Sequence, residues 1–290
     1  MAHPTSGVYS VKTSNLLDQP LAVASVFSPY FGNNGYDWTG VQTVYIHSVA
    51  DGTLTNYNEA SSGLAASAIG LVTPTAQELT LAYNKWMIAR VQTTQTQDLS
   101  VSGFVKKWSV QQLKRVFVPA HDIYSIAAVA AARPSANVVT VTPANFQDGT
   151  GTEKLHLKFA TAIGKLLTNG SDVGDLVAIV SDRFARNLKA EPGFSSDGAY
   201  TAFKNKYFLA QINGVTCVWA PDSYFPAGTF AVIADKQAVI NVTPKMDPNG
   251  NGYKVIENVP GFSGVEVQMR DRGDTFVLSQ KARNIATIEG

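Results

Sequence analysis

The chain has 290 residues, of which 45% are hydrophobic and only 16% charged, with a formal net charge of +1. That balance suits one large folded domain or two ordinary ones and gives no global electrostatic case for binding nucleic acid. A single cysteine, Cys217, excludes an intramolecular disulfide and a cysteine-based metal cluster. No apolar run reaches the ~20 residues that span a bilayer. The N-terminus lacks the basic region and apolar core of an export signal, so a cytoplasm is the expected place of synthesis.

Residues 1–35 show no sustained period. Leu16, Leu17, Leu21, Val26 and Phe27 form an apolar patch among Pro20, Pro29 and Gly32. This reads as an extended arm that must lie on another surface. Residues 41–50, rich in β-branched and aromatic side chains, predict a strand. In 77–92, Leu79, Leu81, Tyr83 and Met87 alternate and predict the second leg of a hairpin. The intervening 51–75 is long, rich in small residues and poorly periodic, the pattern of a functional or mobile loop.

Ser109 to Pro134 reads SVQQLKRVFVPAHDIYSIAAVAAARP. Ser109 and Gln112 form a capping-box pattern, and Val110, Leu113, Val116 and Phe117 follow at near-helical spacing. Pro119 cannot donate to the carbonyl of Arg115, so a kink is expected at Val118-Pro119. Ile123, Ile126, Ala127 and Ala130 carry the apolar stripe onward. A helix over 109–132 would span roughly 36 Å at ~1.5 Å per residue.

A short strand is predicted at 137–142. A helix follows at 153–168, with Leu155, Phe159, Ile163, Leu166 and Leu167 on one face and Gly170 ending it. Next come a buried strand at 175–180 and a short helix capped by Ser181. Strands at 207–212 and 214–220 pair through Asn213-Gly214, a strong hairpin signal. A buried strand occupies 229–235. The closing stretch reads as a strand, a turn at Arg272-Gly273-Asp274, a strand and a last short strand. The order is that of an α+β chain: a hairpin, a long helix, a compact block at about 145–245, and final strands returning beside the first.

The chemistry-bearing residues form no catalytic set. His3, His47, His121 and His156 have no second histidine at metal-ligand spacing. His156 is expected on the solvated side of its helix. His121 and Asp122 are adjacent, so on a helix their side chains diverge by about 100° and do not make a dyad. They are expected at the surface, although a small hydrolytic enzyme using His121 is a reading from another class. Cys217 reads as a buried apolar residue on a strand. The tripeptide at 272–274 is better explained by a turn than by cell adhesion. Lys106, Lys107, Lys114 and Arg115 make the one local basic patch, either a solvated helix face or a contact for phosphate or an acidic partner. No catalytic residue, cofactor or metal is expected.

Four phrases carry a resemblance. QELTLAYNKWMIARVQTTQTQD (77–98), QQLKRVFVPAHDIYSIAAVA (111–130), TFAVIADKQAVINV (229–242) and DTFVLSQKARNIATIEG (274–290), in that order, resemble the extended loop, spine helix, last lobe strand and closing strands of tailed double-stranded-DNA phage major capsid proteins with the Hong Kong 97-type fold. Ala120-His121 stands where an acidic residue is common in that family. The resemblance implies an N-terminal arm (1–35), an E-loop hairpin (36–95), a P-domain with the spine helix (96–144), an A-domain (145–245), and a return with P-domain strands (246–290). It implies no enzyme, but hexamers and pentamers closing an icosahedral virion shell, built in the host bacterial cytoplasm around non-specifically bound double-stranded DNA. A portal and a decoration protein are further implied partners, with no membrane. Only about 35 residues precede the E-loop, so a separate scaffolding protein is expected.

On this reading Lys106, Lys107, Lys114 and Arg115 face DNA or scaffold. Leu16, Leu17, Phe27, Leu54, Glu59, Leu64, Ile69 and Leu71 meet neighbouring subunits. Segment 51–78 has too little apolar surface to offset about 1–2 kcal/mol of backbone entropy per ordered residue on its own. An encapsulin-type compartment shell is the nearest alternative, and a phage tail or decoration protein a more distant one.

Overall fold

The computed structural model describes residues 24–38, 42–49, 74–92, 108–143, 146, 153–191, 208–242, 253–257 and 259–290. Strand β1 (Thr43–Ser48) pairs antiparallel with β2 (Thr75–Thr80). The expected second hairpin leg is two strands. The chain breaks at Leu81-Ala82, and β3 (Tyr83–Gln92) leaves β1 for another sheet. The cause is Asp274, whose Oδ2 accepts from the Ala82 and Tyr83 amides at 2.7 and 3.3 Å.

Helix α1 runs over 108–132. It already includes Trp108, so Ser109 lies inside its first turn. The chain does not restart at Pro119. Instead a π-helical turn, Leu113–Phe117, precedes an α-helical body, Val118–Ala132, and the Val118 amide bonds back to the Leu113 carbonyl. The wider turn carries the preceding carbonyls clear of the proline ring, which resolves the clash within a continuous helix.

The remaining elements follow closely the sequence reading. They are β4 (Val138–Thr140), α2 (Leu155–Thr168), β5 (Leu176–Ser181), α3 (Asp182–Ala190), β6 (Phe208–Ile212), β7 (Val215–Ala220) and β8 (Thr229–Asp235); β9 (Val239–Val242) is a further strand that the sequence reading did not single out. Ser181 caps α3 by accepting from the Phe184 amide at 3.3 Å. Asn213 and Gly214 both have positive φ, 51° and 81°, as a tight hairpin between β6 and β7 requires. Gly170, at φ 91°, ends α2.

Strands β10 (Tyr253–Glu257), β11 (Gly264–Val277) and β12 (Ile285–Glu289) close the chain. No turn interrupts Arg272-Gly273-Asp274. β11 passes straight through it, pairing with β3 as far as Gly273 and with β9 from Asp274. Cross-strand partners on both stretches override the local turn propensity. β12 does not return beside the first strands. It lies inside a six-stranded sheet of order β4-β12-β8-β5-β7-β6, while β10-β11-β3 form a second sheet.

Both faces of the six-stranded sheet are covered, and all six residues of β5 are buried. Ala178 and Val180 pack with Phe159 and Leu166 of α2 and with Phe184 and Leu188 of α3. Val177 and Ile179 face the other way, onto Ile126 and Val129 of α1 and onto Val26, Phe27 and Phe31. Burying each large apolar side chain contributes about 1.5–3 kcal/mol. The first turns of α1 instead place Leu113 and Phe117 on Val267 and Met269 of β11. One helix thus ties two sheets together, with Pro119 at the crossing point.

Candidate functional site

A buried polar seam lies between α1, β11 and the segment 24–38. His121 and Asp122, expected at the surface, are 3% and 0% exposed. They diverge as a helix requires, and each finds its own partner. The Asp122 carboxylate accepts from Ser25 Oγ at 2.6 Å and from the Val26 amide at 2.9 Å. Burial raises its pKa in spite of these donors. Phe27 then stacks on Phe31 at 4.6 Å and is itself 1% exposed. Phe27 is therefore spent within its own chain and has no surface to offer a neighbour. The apolar face of the six-stranded sheet takes it first.

The anchor continues at Asn241, whose amide donates to the Gly32 carbonyl at 2.9 Å and whose side chain reaches Ser28 Oγ at 3.2 Å. Further along the seam, Tyr124 donates to Asp274 Oδ1 at 2.7 Å. Burial, reinforced by that bond, pushes the Tyr124 hydroxyl up to about 12. Thr275 Oγ1 lies 2.7 Å from Ser125 Oγ and 3.2 Å from Asn241 Oδ1. Asp274 thus fixes three things at once: the break between β2 and β3, the partner change in β11, and the rotation of α1.

The other sequence-predicted residues are dispersed. Lys114 and Arg115 are exposed on the π-turn, beside Val116 at 43%. Lys106, Lys107, Leu16, Leu17, Leu54, Glu59, Leu64, Ile69 and Leu71 lie outside the described residues. His47 is exposed on β1. His156 is half-buried, its Nδ1 2.9 Å from Glu191, and does not face open solvent as expected. Cys217 is fully buried and its thiol pKa is raised by that burial. Among the described residues, no group of three or more His, Cys, Asp or Glu could hold a metal. No described helix is long and apolar enough to cross a membrane.

Sequence reasoning missed the outer face of β3. Trp86 is 68% exposed and Ile88 41%, on the face turned away from α1. Arg270 stands opposite Trp86, and Arg90, opposite Glu266, bonds to it at 2.9 Å. The alternation that marks β3 as a strand is present in the sequence. That Trp86 is left exposed depends on where α1 lies, which periodicity does not report.

No protein-family model and no curated protein matches the sequence. Solved structures do match over nearly the whole chain. The mature capsid of bacteriophage PhiM1 matches with a TM-score of 0.67 at 11% identity, covering 97% of this chain and 92% of that one. The head structure of Helicobacter pylori bacteriophage KHP40 gives 0.67 at 11%, covering 98% and 94%. The capsid of cyanophage P-SCSP1u gives 0.67 at 10%, covering 97% and 93%. The chain has the fold of these phage capsid proteins, the α+β Hong Kong 97-type fold that its sequence resembles.

Proposed function

We propose that this chain is the major capsid protein of a tailed double-stranded-DNA phage, assembling as hexamers and pentamers into an icosahedral head. The observation that carries the reading is the match to phage capsid and head structures over 97–98% of this chain and 92–94% of theirs. The physics of the subunit supports it. A helix that ties two sheets through a buried polar seam makes a stiff plate, and a shell wall needs stiff plates. Trp86, Ile88, Tyr45 (61% exposed) and Val49 (60% exposed) leave apolar surface uncovered in the single chain, as expected of a subunit whose neighbours cover it.

On this reading the sub-domains are the arm (1–35), E-loop, P-domain and A-domain in the order given above, with Val26, Phe27 and Phe31 packed on the subunit's own six-stranded sheet. Leu16, Leu17, Leu54, Glu59, Leu64, Ile69 and Leu71 meet neighbouring subunits. Lys106, Lys107, Lys114 and Arg115 face packaged DNA or a separate scaffolding protein, through sequence-blind phosphate or carboxylate contacts. A portal and a decoration protein complete the virion, assembled in the host bacterial cytoplasm. On this reading the subunit works as a wall.

The test is sedimentation and negative-stain microscopy of the expressed protein. Closed shells are expected. Rings, tubes or dispersed monomers would overturn the reading, and shells filled with an enzyme cargo would favour a cellular compartment instead.

A further inference from the structure

The sheet β10-β11-β3 ends on an open edge. β3 pairs with β11 along its whole length and, among the described residues, with no strand on its other side. Alternate backbone amides and carbonyls along Tyr83–Gln92 therefore point out of the sheet, ready to bond a further strand. The other edge strands of the two larger sheets are short: β10 and β6 have 5 residues each and β4 has 3, against 10 in β3.

Folded proteins guard such an edge with a proline, a bulge or a free charge. β3 has no proline, and its register with β11 runs from Tyr83 to Gln92 without a shift. Its two cations are occupied within their own subunit. Lys85 Nζ lies 5.9 Å from the centroid of the Tyr83 ring, while Arg90 bonds Glu266 at 2.9 Å and stands over the Phe262 ring. Between them Trp86 and Ile88 expose apolar surface on the outer face.

We propose that this edge is a two-fold dimer contact, in which β3 of one subunit pairs antiparallel with β3 of a second copy and the sheet continues across the axis. The strand is complementary to itself in this arrangement. With the axis perpendicular to the sheet, opposed residues lie on the same face, so their numbers differ by an even amount. Centring the pairing on Met87 sets Trp86 opposite Ile88 of the second copy, and Ile88 opposite its Trp86. Asn84 then faces Arg90, and Lys85 faces Ala89, so neither cation meets another. The two aromatic–aliphatic pairs cover the apolar surface that the single chain leaves exposed. Moving the centre by one residue sets Trp86 against Arg90 or Ile88 against Asn84, which leaves an apolar side chain facing a polar one. A foreign strand would have to match this order of apolar, neutral and cationic positions, whereas a second copy matches it through symmetry alone. Such an isologous contact closes on itself and joins two subunits. It needs no shell to form, so it stands independently of the capsid reading; within a shell it joins two capsomers across a two-fold.

Cysteine crosslinking of the full chain tests the register. Trp86→Cys and Ile88→Cys are made separately; both positions are exposed, and the native Cys217 is buried and stays silent. Under mild oxidation a mixture of the two should form a disulfide-linked dimer several-fold faster than either alone. Only the mixed pair sits directly opposite, within the roughly 4.4–6.8 Å Cα separation that a disulfide spans. A charge pair tests the contact without a disulfide. Trp86→Lys combined with Ile88→Lys sets like charges opposite each other twice and should weaken dimerisation about tenfold in sedimentation equilibrium. Trp86→Glu combined with Ile88→Lys should restore it. The absence of a mixed crosslink, equal association of the two charge variants, or a wild-type chain that stays monomeric at every concentration would each overturn the proposal. So would a Trp86→Cys chain that crosslinks to a Leu64→Cys chain instead, because the edge would then belong to segment 51–73.

Discussion

Replacing Asp122 with alanine should free the segment around Ser25–Phe31 from α1 while leaving the sheets behind it intact. The carboxylate accepts from Ser25 Oγ at 2.6 Å and from the Val26 amide at 2.9 Å, with no solvent exposure. Hydrogen bonds to a charged group contribute about 1.5–3 kcal/mol each, and an amide left buried without an acceptor costs about 1–3 kcal/mol. Against this stands the cost of burying the carboxylate, visible in its raised pKa, so removing it returns part of the loss. The balance is a net loss of about 2–4 kcal/mol, or an opening of the segment about 30- to 900-fold more frequent. Hydrogen exchange of the native subunit at Val26, Phe27 and Phe31 measures that opening directly. Asp122→Asn keeps an acceptor oxygen and should lose about half as much. A rise below about threefold in the alanine variant, under 1 kcal/mol, would show that the stacked phenylalanines hold the segment without the carboxylate.

Asp274→Ala should destabilise the subunit by about 3–5 kcal/mol, because it strips three amides, those of Ala82, Tyr83 and Thr275, and the Tyr124 hydroxyl of their acceptor; the denaturant midpoint reads it, and a change under ~1 kcal/mol would contradict the seam's role. Gly214→Ala should cost about 1–3 kcal/mol in the same assay, since its φ is +81° and an added Cβ would sit 2.8 Å from Val173 Cγ1. Trp86→Ser should leave subunit stability within about 0.5 kcal/mol, as exposed positions do, yet impair particle formation in sedimentation; normal assembly would remove Trp86 from the contact surface. Cys217 should resist thiol reagents in the folded protein and react only on unfolding, because burial both shields it and disfavours the thiolate.

Local signals carried much of the fold. Asn213-Gly214 made its turn, Gly170 ended its helix, and Ser181 capped the next. What failed were positions decided by distant partners. Arg272-Gly273-Asp274 has the composition of a turn, but β3 and β9 hold it extended. The 77–92 leg looks uninterrupted until Asp274, far along the chain, accepts from Ala82 and Tyr83. Pro119 announced a disturbance correctly, yet its form, a π-turn, depends on keeping Leu113 and Phe117 on β11. Polarity misled most at His121 and Asp122. Adjacent charged-type residues suggest solvent, and their burial required the N-terminal segment to fold over them. The basic patch was legible as composition, whereas the exposed Trp86 needed the position of α1.

The most direct measurement is a cryo-electron microscopy reconstruction of particles formed by this chain. The account predicts icosahedral symmetry, with the chain in both hexamers and pentamers. It places α1 within the shell wall, Trp86 and Ile88 covered by a neighbouring subunit, and Lys114 and Arg115 on the inner surface. Particles of another symmetry, or a chain that decorates a shell built from a different protein, would contradict it.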